Sequence, residues 1–119
     1  MNTNNTNLFI GSNDSLNVLN GQAIINGSIL FFYDDCDESE FDFPNYAGLF
    51  MTVSNERDGS TLKSFSSSAG LSKSGNAIII NLSVLDMTFT DAGKYYYELG
   101  YILSGGYEQI LRYGEFNVE

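Results

Sequence analysis

Apolar and polar residues alternate with a period of two along most of the chain, and no stretch repeats at the 3.6-residue spacing of an amphipathic helix. The longest alternation follows Thr90-Asp91-Ala92-Gly93, which reads as a tight corner. It places Tyr95, Tyr97, Leu99 and Tyr101 on one face of a strand and Lys94, Tyr96 and Glu98 on the other. A second strand is predicted over 77–85, with Ile78, Ile80, Leu82 and Val84 inward and Asn81 and Ser83 outward. Leu49 to Ser54 alternates likewise, and Asp58-Gly59 signals a hairpin into Thr61 to Phe65. Ser104-Gly105-Gly106 turns a further hairpin into Tyr107 to Tyr113, after which Gly114 is the expected bulge that resets the alternation before Phe116 and Val118.

The first half is less regular. Leu16 to Leu19 predicts a short strand ending in a turn at Asn20-Gly21. Gln22 to Tyr33 is a strand region apolar on both faces, with Ile29, Phe31 and Tyr33 on one and Leu30 and Phe32 on the other. Such a strand is either covered on both sides or turns one face to a partner. Loops are expected at Gly11 to Asp14, over the carboxylate-rich run from Asp34 to Asn45, and over the Ser/Gly-rich run from Ser66 to Gly75. About seven strands with turns at short spacing predict an all-β chain, folded as an antiparallel two-sheet sandwich, with a barrel as the competing architecture.

At 119 residues the chain has one domain's length, and 43% hydrophobic content is enough for a core despite a formal net charge of −10. The polar run of residues 1–7 is expected to be an N-terminal arm, leaving 8–119 as a single domain. Five residues are basic (Arg57, Lys63, Lys73, Lys94, Arg112), none before position 57. An anionic surface repels phosphate backbones and anionic membranes, so neither nucleic acid nor a membrane is an expected partner. Cys36 is the single cysteine, so no intramolecular disulfide is available. Met1 to Thr6 carries no secretory pattern, which predicts cytosolic synthesis.

Catalytic chemistry finds little footing. The chain has no histidine, no nucleophile elbow and no phosphate-binding loop with its lysine. Cys36 sits among carboxylates that disfavour its thiolate. A non-enzymatic protein without a cofactor is therefore expected. The acidic run supplies Asp34, Asp35, Asp37 and Glu38 as candidate oxygen ligands for Ca²⁺. It lacks the spacing of a helix-loop-helix calcium site, which favours a solvated loop that offers its charge to water or to a basic partner. Most aromatic rings fall at core positions. Tyr96 and Tyr107 point outward by strand phase and are the candidate surface rings, for a protein partner or for a sugar.

The residues from Thr88 to Val118 carry a resemblance. The sequence Thr88…Asp91-Ala92-Gly93-x-Tyr95-x-Tyr97-x-Leu99, a variable hairpin, then Ile110-Leu111, Gly114, Phe116 and Val118, resembles immunoglobulin-like domains of bacteriophage virion proteins. These include capsid decoration proteins, head fibres and upper baseplate proteins. The resemblance implies an immunoglobulin-like sandwich in which Asp91, Gly93 and Tyr95 form a tyrosine corner, and Tyr97 takes the place of the second cysteine of antibody domains. The chain departs from antibody-type domains in having no cysteine pair and no tryptophan, so packing has to replace the inter-sheet bridge. The implied function is an auxiliary protein on the capsid exterior, made in the host cytoplasm. It would contact the major capsid protein or other virion proteins, with copies of itself as possible neighbours. Expected contact residues are Asn2, Thr3, Asn4 and Asn5 of the arm, together with Tyr96 and Tyr107. A baseplate or tail adaptor and a carbohydrate-binding module are the alternatives.

Overall fold

The computed structural model describes residues 12–13, 15–32, 39–56 and 59–119. Nine strands and no helix occur among them: β1 (Ser12–Asn13), β2 (Leu16–Val18), β3 (Ile24–Leu30), β4 (Tyr46–Ser54), β5 (Thr61–Ser67), β6 (Gly70–Ser74), β7 (Ala77–Leu82), β8 (Gly93–Leu103) and β9 (Glu108–Val118). The all-β expectation holds. Hydrogen bonds run through one mixed sheet in the order β1-β9-β8-β4-β5-β6-β7-β3, with β2 also beside β9.

That path is continuous because the chain passes directly from β5 into β6 at Ser68-Ala69. The two strands share a short parallel ladder, Ser66 with Gly70 and Ser67 with Leu71. The sheet curls there, and side chains from its two ends enter one core. Ile29, Ile78 and Ile80 of β3 and β7 join Met51, Val53, Tyr97, Leu99 and Phe116 of β4, β8 and β9 in one cluster. No ladder joins β3 to β1 or β2 among the described residues, so the curl stays open.

Strand β8 follows its alternation: Tyr95, Tyr97, Leu99 and Tyr101 are buried, while Lys94 is exposed and Tyr96 and Glu98 are half-buried. The expected hairpin between β4 and β5 is met by their antiparallel pairing, with Asp58 of its Asp-Gly turn outside the described residues, and the Ser104-Gly105-Gly106 turn by the β8–β9 pair.

Other segments depart from expectation. Ser12 and Asn13 form a parallel bridge to Arg112 and Tyr113 instead of a loop. Most of the run from Ser66 to Gly75 is β structure, the end of β5 and all of β6, because Leu71 supplies a buried anchor and β6 pairs with β7 from Leu71–Ile80 to Ser74–Ala77. In the described part of the acidic run, 39–45, Glu40 and Asp42 are exposed as expected, but two of its rings are anchored in the core. Phe41 and Phe43 are 3% and 2% exposed, their rings set edge-on at 4.9 Å and against Tyr101 at 5.8 and 5.2 Å. Alternation with Asp42 lets the rings turn inward while the carboxylate stays in water. Val84 is 58% exposed because the chain leaves β7 at Ser83 for a tight turn. In that turn the Ser83 amide donates to Asp86 Oδ2 (3.0 Å), the Asp86 amide donates to Ser83 Oγ (3.1 Å), and Met87 takes the buried position.

The expected bulge at Gly114 lies elsewhere. Gly114 stays in register with Tyr97, and the extra residue is Leu111, between the pairs Leu99–Arg112 and Gly100–Ile110. Gly100 makes this geometry possible: a Cβ there would run into the Gln109 carbonyl.

Candidate interaction face

The corner before β8 is a local construction. Gly93 has φ +149°, a conformation that L side chains rarely adopt, and it turns the chain into the strand. Two residues later the Tyr95 hydroxyl donates to the Asp91 carbonyl at 2.7 Å, and the Tyr95 ring lies 4.8 Å from that of Phe89. Asp91, Gly93 and Tyr95 thus meet in one turn and fix where β8 enters the sheet.

The aromatic residues of the core form two groups. Phe31, Phe41, Phe43 and Tyr101 cluster at one end, with Tyr46 at its rim, and Lys73 Nζ lies over the rings of Phe43 (5.2 Å) and Tyr46 (5.4 Å). Phe89, Tyr95, Tyr97 and Phe116 cluster at the other, with Lys63 Nζ 4.9 Å from the Phe89 centroid. Arg112 is the one buried charged residue among those described, and its Nε donates to the Tyr97 hydroxyl at 2.9 Å. Lys94 pairs with Glu115 at 3.2 Å. Every described basic side chain therefore has an intramolecular partner, and the anionic charge is left to the surface.

Burial raises the pKa of Tyr101, with the Asp42 carboxylate adding to the effect. The neutral phenol donates to the Pro44 carbonyl at 2.9 Å and ties the Phe41–Phe43 segment to β8.

The outer face of β4, β8 and β9 carries a groove of about 470 Å³ lined by Thr52, Ser54, Thr61, Tyr96, Glu98 and Tyr113, among others. The ladders set its side chains in two rows. Thr52, Glu98 and Tyr113 lie directly across from one another on β4, β8 and β9, and Ser54, Tyr96 and Glu115 do the same one pleat away. Glu98 thus has one tyrosine across the ladder and another two residues back on its own strand, on the same face.

Tyr96 is half-buried in this groove, whereas Tyr107 is 78% exposed at the β8–β9 hairpin. They lie at opposite ends of β8, about 23 Å apart along the strand, and do not form one site. Tyr113 is the ring that sequence reasoning missed. Counting outward phase back from Phe116, after Leu111 had been recognised as the bulge, would have found it.

The arm residues Asn2, Thr3, Asn4 and Asn5 and the calcium candidates Asp34, Asp35, Asp37 and Glu38 lie outside the described residues. Among the described residues no group of three or more His, Cys, Asp or Glu side chains is placed to hold a metal ion, and no helix is long and apolar enough to cross a membrane.

No protein-family model matches the chain, and no curated protein does. Among solved structures, the extracellular domains 3–5 of Drosophila OTK are similar, with a TM-score of 0.34 and 18% identity over 93% of this chain and 34% of that one. The chain thus spans about a third of that structure's length. A likeness of that size transfers neither fold nor function.

Proposed function

We propose that this chain is a non-enzymatic virion structural protein, an immunoglobulin-like β-sandwich that docks as an auxiliary protein on the outer surface of a phage capsid and stabilises it. The sandwich reading draws support from the strand order. Divided at the two-pair β5–β6 ladder, the curled sheet yields β1/β2-β9-β8-β4-β5 as one layer and β6-β7-β3 as the other, with the shared core between them. The tie from Tyr95 to Asp91 suits the same reading. The phage assignment draws on the sequence pattern from Thr88 to Val118 alone.

The observation that carries a docking role is the distribution of charge. The described cations are all engaged within the molecule while its net charge is −10, so what the molecule offers a partner is an anionic surface on a packed β scaffold. Capsid DNA would repel such a surface, which favours the exterior over the interior. Stabilisation would come from burying that surface across neighbouring capsid subunits, since a ligand that binds only the assembled state opposes its separation.

Co-sedimentation of the purified protein with capsids lacking it tests this reading. Saturable binding to the particles, weakened when residues 1–7 are deleted, is the expected result. Failure to bind capsids, with a discrete ring formed on tail proteins instead, would replace the capsid reading with the baseplate one.

A further inference from the structure

The groove on β4, β8 and β9 has a feature that docking in general does not require. Among the described residues that line it, the one carboxylate is Glu98, which is half-buried and makes no ion pair with a described residue, whereas Glu115, beside the groove in the next row, is paired with Lys94. Tyr96 and Tyr113 place aromatic rings beside that carboxylate, and Thr52, Ser54 and Thr61 add hydroxyl groups along the wall. A half-buried carboxylate with a tyrosine as its cross-strand neighbour, and hydroxyl groups around it, is complementary to a planar cation. A guanidinium would stack on a phenol ring while donating to the carboxylate and hydroxyls. The field of a molecule of charge −10 draws such a group in.

We propose that this groove receives an arginine side chain presented by a basic partner segment, with Glu98 as its counter-ion and Tyr113 as the ring against which it packs. The inference rests on the docking reading above and not on the identity of the assembly.

The test is a titration of the whole chain with end-blocked Gly-Arg-Gly, read by amide chemical shifts, with Gly-Gly-Gly and cellotetraose as separate arms. Saturable shifts at Thr52, Glu98 and Tyr113 are expected with the arginine peptide alone. Glu98→Gln should weaken binding about tenfold, the worth of one charge-assisted hydrogen bond. Glu108→Gln makes the same change of charge at an exposed position outside the groove lining and should weaken it less than about twofold. Equal losses in the two variants would mean diffuse charge attraction and overturn the proposal. So would the absence of saturable shifts, or saturable cellotetraose binding in the groove, which would make it a sugar site. Peptide binding by a protein that leaves capsids undecorated would keep the groove assignment and sink the capsid reading. Decoration undiminished by Glu98→Gln, with no peptide binding, would do the reverse.

Discussion

The tyrosines of β8 illustrate how one residue type is put to different uses by strand phase and neighbours. Tyr95 closes a turn, Tyr97 accepts from a buried guanidinium, Tyr101 anchors a distant segment and Tyr96 lines an outer groove. Removing only the Tyr95 hydroxyl, as in Tyr95→Phe, should cost about 1 kcal/mol, the usual net worth of one hydrogen bond. Urea denaturation would show it, and an unchanged midpoint would mean that the tie to Asp91 contributes nothing. Tyr101 makes a prediction in pH. Its folded-state pKa is raised, so the folded molecule holds the phenolic proton more tightly than the unfolded chain does. The corresponding stability is fully present below the unfolded tyrosine value of about 10 and is lost as pH rises through the folded value. Thermal unfolding followed from pH 8 to 11 should therefore show a decline that is shallower in Tyr101→Phe. Parallel curves for the two proteins would contradict the assignment.

At the scale of elements, what the sequence made legible was periodicity, and what it concealed was the consequence of local irregularity. β7 and β8 were readable because Ile78, Ile80, Leu82, Tyr95, Tyr97, Leu99 and Tyr101 alternate cleanly with polar neighbours. β6 was hidden because its strand has a single large anchor, Leu71, among Ser, Lys and Gly, and composition alone reads that as a loop. Phe41 and Phe43 were hidden by their carboxylate neighbours, whose collective charge suggested solvent although each ring faces the opposite way. The groove was half legible: Tyr96 followed from the phase of β8, whereas Tyr113 depended on a bulge assigned three residues too late. That bulge depends on Gly100, so Gly100→Ala should destabilise the β8–β9 pair by about 2 kcal/mol or more, through a clash with backbone that cannot rotate away. A lowered denaturation midpoint with an unchanged slope is the expected signature. Wild-type stability in this variant would show that the strands pass one another less closely than described.

Taken whole, the molecule measures 41 × 34 × 26 Å and joins its two aromatic clusters through one aliphatic core. Its described lysines and arginine are spent inside its own structure, on rings, on a carboxylate and on a phenol, so association by positive charge falls to the partner. That division of charge links the fold to the proposed role: the interior holds a shape, and an acidic exterior presents it. The central claim, an outward-facing structural part of a virion, is most directly tested by imaging intact particles at subnanometre resolution alongside particles that lack the protein. The account predicts difference density of about this size repeated over the capsid exterior. Density confined to the tail, or particles identical with and without the protein, would contradict it.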